Sequence, residues 1–236
     1  MIKRAYLHVA RLPRALVAAA RRCAVSDLYE ALPPARRERA MMSPRMQGLA
    51  AGLRAAGSAV TVKAARGDNL AMHRALRLAR RGDFLVVAAG GGPGAQWGDL
   101  AALDARRVGL AGIAVHGFVR DADALRALRF PTWCTGIAPS HPTKARAGDV
   151  NVPVTCDGVR VVPGDLVVAD GDGVIVVPAA LAADAVARVA ARRADERRAA
   201  RRIARGTRLW DLHDLDAAYG RSGMVDTDTD WKGRGT

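Results

Sequence analysis

Two aspartates and an arginine carry the chemistry this chain is best equipped to perform. Asp99 sits between Gly98 and Leu100, and after a gap of twenty residues the chain reaches Arg120-Asp121. Two converging carboxylates suit a hard cation such as Mg²⁺, which prefers oxygen ligands and retains several waters. The arginine fork can then hold a carboxylate or a developing oxyanion on the same ligand. An Arg-Asp pair on a loop is equally the pattern of a solvated surface pair, and only the second carboxylate turns it into a site. The gap is long enough for one helix and one strand to return the chain to the same rim.

The turn Gly90-Gly91-Gly92-Pro93-Gly94 precedes this set. A strand running into glycines and then into a helix leaves free backbone N–H groups where an anion can sit. The helical pattern of Leu100, Leu103 and Arg106 places the Leu100 and Ala101 amides at such a start. The turn by itself fits an anion loop, a dinucleotide loop or a plain turn. Its spacing is not Gly-x-Gly-x-x-Gly opening a helix, and no Gly-Lys-Ser/Thr follows, so nucleotide binding at this loop is set aside.

The elements that must position these residues are legible in outline. A helix after Pro13 is expected to end near Arg22, and Ser26 is expected to cap a second one that stops at Pro33-Pro34. The basic stretch Ala35 to Arg45 reads as a surface connection. Ala59 to Val62 reads as a strand between Gly57 and Gly67. Asp68 or Asn69 can cap a helix through Met72, Leu76 and Ala79, on which His73 reads as a surface or packing residue. Gly82-Asp83 reads as a turn, and Phe84 to Ala89 as a strand covered on both faces. A strand from Gly112 to Val115 ends at His116-Gly117 and delivers Arg120-Asp121. A short helix over 123–128 and a strand around Trp133 follow, then a polar, basic loop from Ser140 to Gly148. Four short strands are expected at Val152–Val154, Val159–Val162, Leu166–Ala169 and Val174–Val177. Pro178 opens a long helix whose second half, Arg192 to Arg205, is densely charged. The expected organisation is a single domain over residues 1–220 and a weakly ordered tail over 221–236.

Bulk composition agrees with an α/β chain able to bury a large core: 236 residues, half of them hydrophobic, only 4% aromatic. The formal net charge is +14. Arginines are spread along the chain with few aromatics to interleave, so no nucleic-acid partner is expected, although anionic substrates would be attracted. Cys23, Cys134 and Cys156 are too few and too widely spaced for a disulfide framework or a zinc pattern. No apolar run suits a membrane span and no signal peptide is recognisable, so a cytoplasmic protein with no membrane partner is expected.

The motifs Gly67-Asp68-Asn69-Leu70, Gly98-Asp99-Leu100, Gly117-Phe118-Val119-Arg120-Asp121 and Phe130-Pro131 together resemble one family. Asn151-Val152-Pro153-Val154, Pro163-Gly164-Asp165 and Asp172-Gly173-Val174 continue the likeness, which extends from about Val25 to Arg205. The family is that of the 4-hydroxy-4-methyl-2-oxoglutarate/4-carboxy-4-hydroxy-2-oxoadipate aldolases and the regulator of ribonuclease activity A-like proteins. The resemblance implies an αββα sandwich of the swivelling, phosphohistidine-domain-like type, assembled as a homotrimer or homohexamer with the site at a subunit interface. It makes Asp121 the direct ligand of Mg²⁺ or Mn²⁺, and Asp99 the holder of a water beside it. Arg120 would contact the oxygen of the substrate's pyruvyl part, and the Gly98–Ala101 turn, through the Leu100 and Ala101 amides, would bind its carboxylate. A glutamate from the last helix of a neighbouring subunit matches Glu196, which can equally be one charge among arginines.

What the resemblance implies is a metal-dependent pyruvate aldolase. It would cleave a 4-hydroxy-2-oxo di- or tricarboxylic acid and decarboxylate oxaloacetate through the same pyruvate enolate. No lysine Schiff base is required, so Lys63 and Lys144 are surface or substrate-carboxylate contacts. His116 stands where relatives carry an acidic or amide residue; a charged contact to a dicarboxylate and a structural hydrogen bond are both open. The alternative function is a non-catalytic regulator that binds and inhibits an RNA-processing enzyme.

Overall fold

The computed structural model describes residues 2–90 and 92–234. Gly91, in the middle of the glycine turn, lies outside the described residues. The chain divides into two compact units, Met1–Val189 and Ala190–Thr236.

In the first unit an extended N-terminal segment leads into α1 (Arg14–Ala20), α2 (Val25–Ala31) and the single turn α3 (Pro34–Arg37). Then come β1 (Gln47–Gly48), β2 (Ala55–Lys63), α4 (Leu70–Leu78) and β3 (Asp83–Ala88). The site region follows with α5 (Asp99–Val108), β4 (Gly112–Val119), α6 (Ala122–Leu128) and β5 (Thr132–Ile137). Short strands close the unit: β6 (Asp149–Val150), β7 (Val154–Cys156), β8 (Val159–Val161), β9 (Leu166–Asp170) and β10 (Gly173–Val177). Helix α7 (Ala179–Ala204) crosses into the second unit, which adds α8 (Leu209–Leu212) and α9 (Asp216–Ser222).

The main sheet runs β1-β5-β4-β3-β2-β9-β10, with β6 also on β2, while β7 and β8 form a separate hairpin. Strands β2, β3, β4 and β5 are mutually parallel, and each step is crossed by one helix. The segment from Ala40 to Gly48 joins the two edges. Met42 N–H donates to Val174 O on β10, and Gln47 then pairs with Cys134 on β5. The result is a mixed α/β fold around a nearly closed, barrel-like sheet.

Alternation along β3 shows why its sequence is continuously apolar. Leu85 and Val87 pack in one core with Met72, Trp97 and Ile113, whereas Phe84 and Val86 pack in the other with Trp133, Val159 and Val174. Both faces are covered, as a central parallel strand requires. Trp133 is fully buried, and its indole N–H donates to Asp170 O at 3.0 Å. Truncating it to alanine would cost about 3–5 kcal/mol.

Several expected boundaries move, each for a local reason. Ser26 does not cap α2: the N-cap is Ala24, and the Val25 amide instead donates to the Asp170 carboxylate at 3.0 Å. Part of the basic connection after Pro33 is the helical turn α3, opened by Pro34 at its first position. Gly57 is not a boundary but an interior residue of β2, because a Cβ there would meet Gly82 O at 2.5 Å. Strand β4 does not stop at His116. A bulge between Val115 and Phe118 carries it on to Val119, with Gly117 N–H tied to Thr135 Oγ1 at 2.9 Å. Val152 and Pro153 lie outside the hairpin strands, since proline cannot donate to a ladder. On α5 the buried residues are Ala102 and Ala105, while Leu100 and Leu103 are exposed.

All three cysteines are free and buried. Burial pushes the Cys156 thiol up to about 12, and Cys134 is raised for the same reason, so both are inert packing groups. Burial lowers the pKa of His73, and nearby Lys144 lowers it further, while Asp104 raises it. No described helix is long and apolar enough to cross a membrane. In the second unit Trp210 and Tyr219 meet edge to face at 5.5 Å, and Trp210 Nε1 donates to Asp216 at 2.9 Å.

Candidate active site at the C-terminal ends of the parallel strands

The bulge in β4 is what brings the two halves of the site together. By extending the strand to Val119, it lets the approaching chain pair with β4 as a short parallel ladder. Gln96 N–H donates to Phe118 O at 2.7 Å, and Arg120 N–H donates to Trp97 O at 2.9 Å. Gly98 is therefore pressed against Arg120-Asp121. A Cβ at position 98 would stand 2.5 Å from Asp121 Oδ2 and 3.2 Å from Arg120 Cγ, so any side chain there would have to push the Asp121 carboxylate aside.

Asp121 occupies the N-cap of α6 but does not cap it. Its backbone is left-handed, at φ 56°, and its side chain makes no capping bond. An aspartate at this position ordinarily accepts from the first helical amides. Here the carboxylate turns toward Gly98 and lies against Arg120 Nε, at 3.1 and 3.3 Å from its two oxygens. The left-handed backbone and the uncapped helix start leave this carboxylate turned to Gly98 and Arg120.

Asp99 begins α5 just beyond Gly98, and its Oδ1 accepts from the Leu100 amide at 2.7 Å. The Leu100 N–H expected to meet a substrate carboxylate is thus shared with Asp99, whereas the Ala101 N–H precedes the first intrahelical bond of α5, from Ala102 to Gly98 O. Leu100 itself is 76% exposed. On the other side of Arg120, Nη1 lies 3.2 Å from His141 Nδ1. The sequence shows Ser140 to Gly148 only as a polar, basic loop and does not single out His141.

What holds that loop is Asp68. Its carboxylate accepts from Leu70 N, Thr143 Oγ1, Ala145 N and Arg146 N, at 2.6–2.9 Å. Burial raises the pKa of Asp68, but these four donors outweigh it and hold the group well below the usual carboxylate range. Gly94 N–H and Ala95 N–H are tied to Ser140 at 3.2 and 3.0 Å, which clamps the glycine loop to the same segment. Asp68 was legible as a helix cap and as part of the Gly67–Leu70 motif; nothing local announces that it organises residues 75 or more positions away.

The remaining candidates fall elsewhere. His116 Nδ1 accepts from the Asp157 amide at 3.1 Å, a structural hydrogen bond. Lys63 and His116 line a pocket of about 540 Å³ with Arg66 and Arg160. Glu196 belongs to the second unit, where it lies 3.7 Å from Arg192, one helical turn away.

Among the described residues no three histidine, cysteine or acidic side chains cluster as a metal cage. The donor set at Asp99 and Asp121 nevertheless fits a hard divalent cation, because Mg²⁺ is commonly held by one or two carboxylates and completed by water and substrate.

With this geometry established, comparison with known proteins gives the family. The description "RraA-like: Aldolase/RraA" matches residues 23–176, most of the first unit. The chain belongs to the RraA-like family. It is 44% identical over 123 residues to a Halalkalibacterium halodurans protein named "Putative 4-hydroxy-4-methyl-2-oxoglutarate aldolase", spanning 52% of this chain and 59% of that relative. The match thus reaches less than two thirds of that relative's length. Among solved structures, Streptomyces coelicolor RraAS2, described as an unusual member of the RNase ES inhibitor RraA protein family, superposes with a TM-score of 0.69. It is 32% identical, over 84% of this chain and 99% of that one. The RNA-processing inhibitor RraA from Thermus thermophilis gives 0.60 at 29% identity, over 66% and 93%. This RraA-like chain therefore resembles proteins named for two different roles.

Proposed function

We propose that this chain is a divalent-metal-dependent pyruvate aldolase. Its substrate would be a 4-hydroxy-2-oxo di- or tricarboxylic acid, such as 4-carboxy-4-hydroxy-2-oxoadipate or 4-hydroxy-4-methyl-2-oxoglutarate, with oxaloacetate decarboxylation as a side activity. The observation that carries this reading is Asp121: a carboxylate released from helix capping, facing the Gly98-Asp99 turn, with a guanidinium laid across it. A surface that only docks another protein needs no such convergence.

A bound Mg²⁺ or Mn²⁺ would supply Lewis acidity, polarising the substrate's 2-oxo group and favouring the enolate. The chain's own residues do the rest. Asp121 would hold the cation, and the Arg120 fork would then release this carboxylate in part and turn toward substrate. The freed guanidinium holds the pyruvyl oxygen as negative charge builds there. The Ala101 amide, joined by Leu100 once Asp99 lets it go, takes the carboxylate. Asp99, with Glu196 of a second copy, orders the water that removes the 4-hydroxyl proton. Cleavage of the C3–C4 bond leaves its electron pair in the enolate, and proton return to C3 gives pyruvate. Oxaloacetate loses CO₂ to the same enolate.

The second reading, an inhibitor of an RNA-processing enzyme, is favoured by the names of the structural relatives and by the charged second half of α7. Pyruvate release from 4-carboxy-4-hydroxy-2-oxoadipate and from oxaloacetate, with Mg²⁺ and then with EDTA, separates the two. Turnover that disappears on chelation is expected; no metal-dependent turnover of either substrate would remove the aldolase reading.

A further inference from the structure

The opposite end of the parallel sheet holds a cavity of about 1030 Å³ that the proposed reaction does not use. One wall is α1 and its C-cap, where Arg14, Val17, Ala18 and the capping Arg21 share a face at helical spacing. The other walls are the links that enter β3, β4 and β5 (Arg80 to Asp83, Gly109 to Ala111, Arg129 to Pro131), together with Arg106 near the end of α5 and Arg54 before β2. Nine arginines line this space, against one carboxylate, Asp83.

That carboxylate is already committed. Asp83 is buried and receives Arg11 Nε and Nη2 at 2.7 and 2.8 Å, together with the Arg80 amide at 2.7 Å. Arg54 pairs with Asp170 at 3.2 Å, and Arg129 donates to Ala51 O at 3.2 Å. The guanidinium groups of Arg14, Arg21, Arg80, Arg81 and Arg106 have no partner among the described residues. Arg81 lies across Gly109, whose absent side chain leaves room for it, at 3.3 Å from where a Cβ would stand. Five uncompensated forks facing one concavity repel one another within a Debye length, and nothing in the fold requires them there.

Guanidinium forks match phosphate oxygens bidentately, and several converging forks select a ligand with several phosphates. The volume exceeds what one phosphate needs and reaches the range of pockets that enclose whole small molecules. Leu12, Val17, Leu110 and Pro131 give it an apolar side as well. We propose that this cavity binds an oligophosphate, the arginines gripping the phosphate chain and the apolar wall lying beside whatever it carries. A nucleoside triphosphate and a free inorganic polyphosphate share this chemistry, and the wall favours the nucleotide.

Calorimetric titration of the full chain, without divalent metal, tests this with ATP, inorganic tripolyphosphate and a short single-stranded RNA. Saturable one-to-one binding of ATP or tripolyphosphate is expected. The tighter of the two identifies the source. The double substitution Arg81→Ala with Arg106→Ala should weaken binding at least about tenfold, as loss of charge-assisted bonds to phosphate requires. Arg107→Ala, on the same helix but outside the cavity, should change it less than about twofold. All three side chains are exposed, and unchanged melting of the variants checks that the fold is kept. The proposal is overturned if neither oligophosphate saturates, if the cavity pair leaves binding unchanged, or if RNA binds more tightly and neither oligophosphate displaces it. The readout is binding alone, so it stands or falls separately from the aldolase assay.

Discussion

The two ends of the parallel sheet present opposite chemistry on one scaffold. At the C-terminal ends of the strands, Asp121 lies against Gly98 and the Arg120 guanidinium, Asp99 opens the helix that follows Gly98, and Asp68 clamps the 143–146 segment. At the N-terminal ends, arginines crowd a cavity whose single carboxylate is consumed by Arg11. The first arrangement mixes signs at close range, which suits a cation and an oxyanion held together. The second leaves positive charge uncompensated, which suits a polyanion and offers no acid, base or metal ligand for chemistry. Position in the fold therefore separates what the net charge of +14 blurs. Most of the positive charge says nothing about the reaction.

Substitutions can break this division in order of expected effect. Arg120→Ala should lower kcat/KM for both cleavage and decarboxylation by about 3–4 kcal/mol equivalent, since both pass through the enolate. Tripolyphosphate binding at the far end should not change. A loss confined to cleavage, seen by assaying both substrates, would make Arg120 a contact to the distal part of the substrate instead. Asp83→Ala should do the reverse. It strands Arg11 beside a buried gap and should cost about 3 kcal/mol in urea unfolding, with turnover per folded molecule retained.

Asp68→Asn should cost about 2 kcal/mol through its lost charge-assisted bonds and should raise KM by loosening the His141 loop. The sign of its pH dependence follows from a folded pKa held below the ordinary carboxylate value of about 3.9. The stabilisation is present above that value and is lost as pH falls toward the folded pKa. Wild-type protein should therefore lose stability on acidification below about pH 4 more steeply than Asp68→Asn, as acid titration followed by circular dichroism would show. Gly98→Ala should have the smallest effect, about tenfold on activity. Its added methyl must push the Asp121 carboxylate aside, while its backbone, at φ −153°, is one any residue adopts. Unaltered metal affinity in that variant would show that Gly98 does not set the position of Asp121.

Much of the fold and the candidate site were legible in the sequence, for identifiable reasons. Continuous Val and Leu runs mark β3, β9 and β10, because a doubly covered strand has no polar face to show. The Asp99 to Arg120-Asp121 spacing was readable because one helix and one strand fill that gap. The bulge after Val115 was not readable: it depends on Thr135, on a neighbouring strand, taking up Gly117 N–H. His141 and the clamp at Asp68 were hidden for the same reason, since their partners are distant in sequence and no local periodicity records them. The arginine cavity was invisible because its members come from the N-terminal segment, α1 and its end, α5 and the links before β2, β3 and β5, each an ordinary solvated charge when read alone.

Asp121→Ala tests the central claim most directly. Mg²⁺ should be titrated against wild type and variant while pyruvate release from oxaloacetate and from 4-carboxy-4-hydroxy-2-oxoadipate is followed, with circular dichroism confirming the fold. The account predicts saturable Mg²⁺ activation of the wild type and no metal-dependent turnover in a folded Asp121→Ala protein. Wild-type activation by Mg²⁺ in that variant would contradict it.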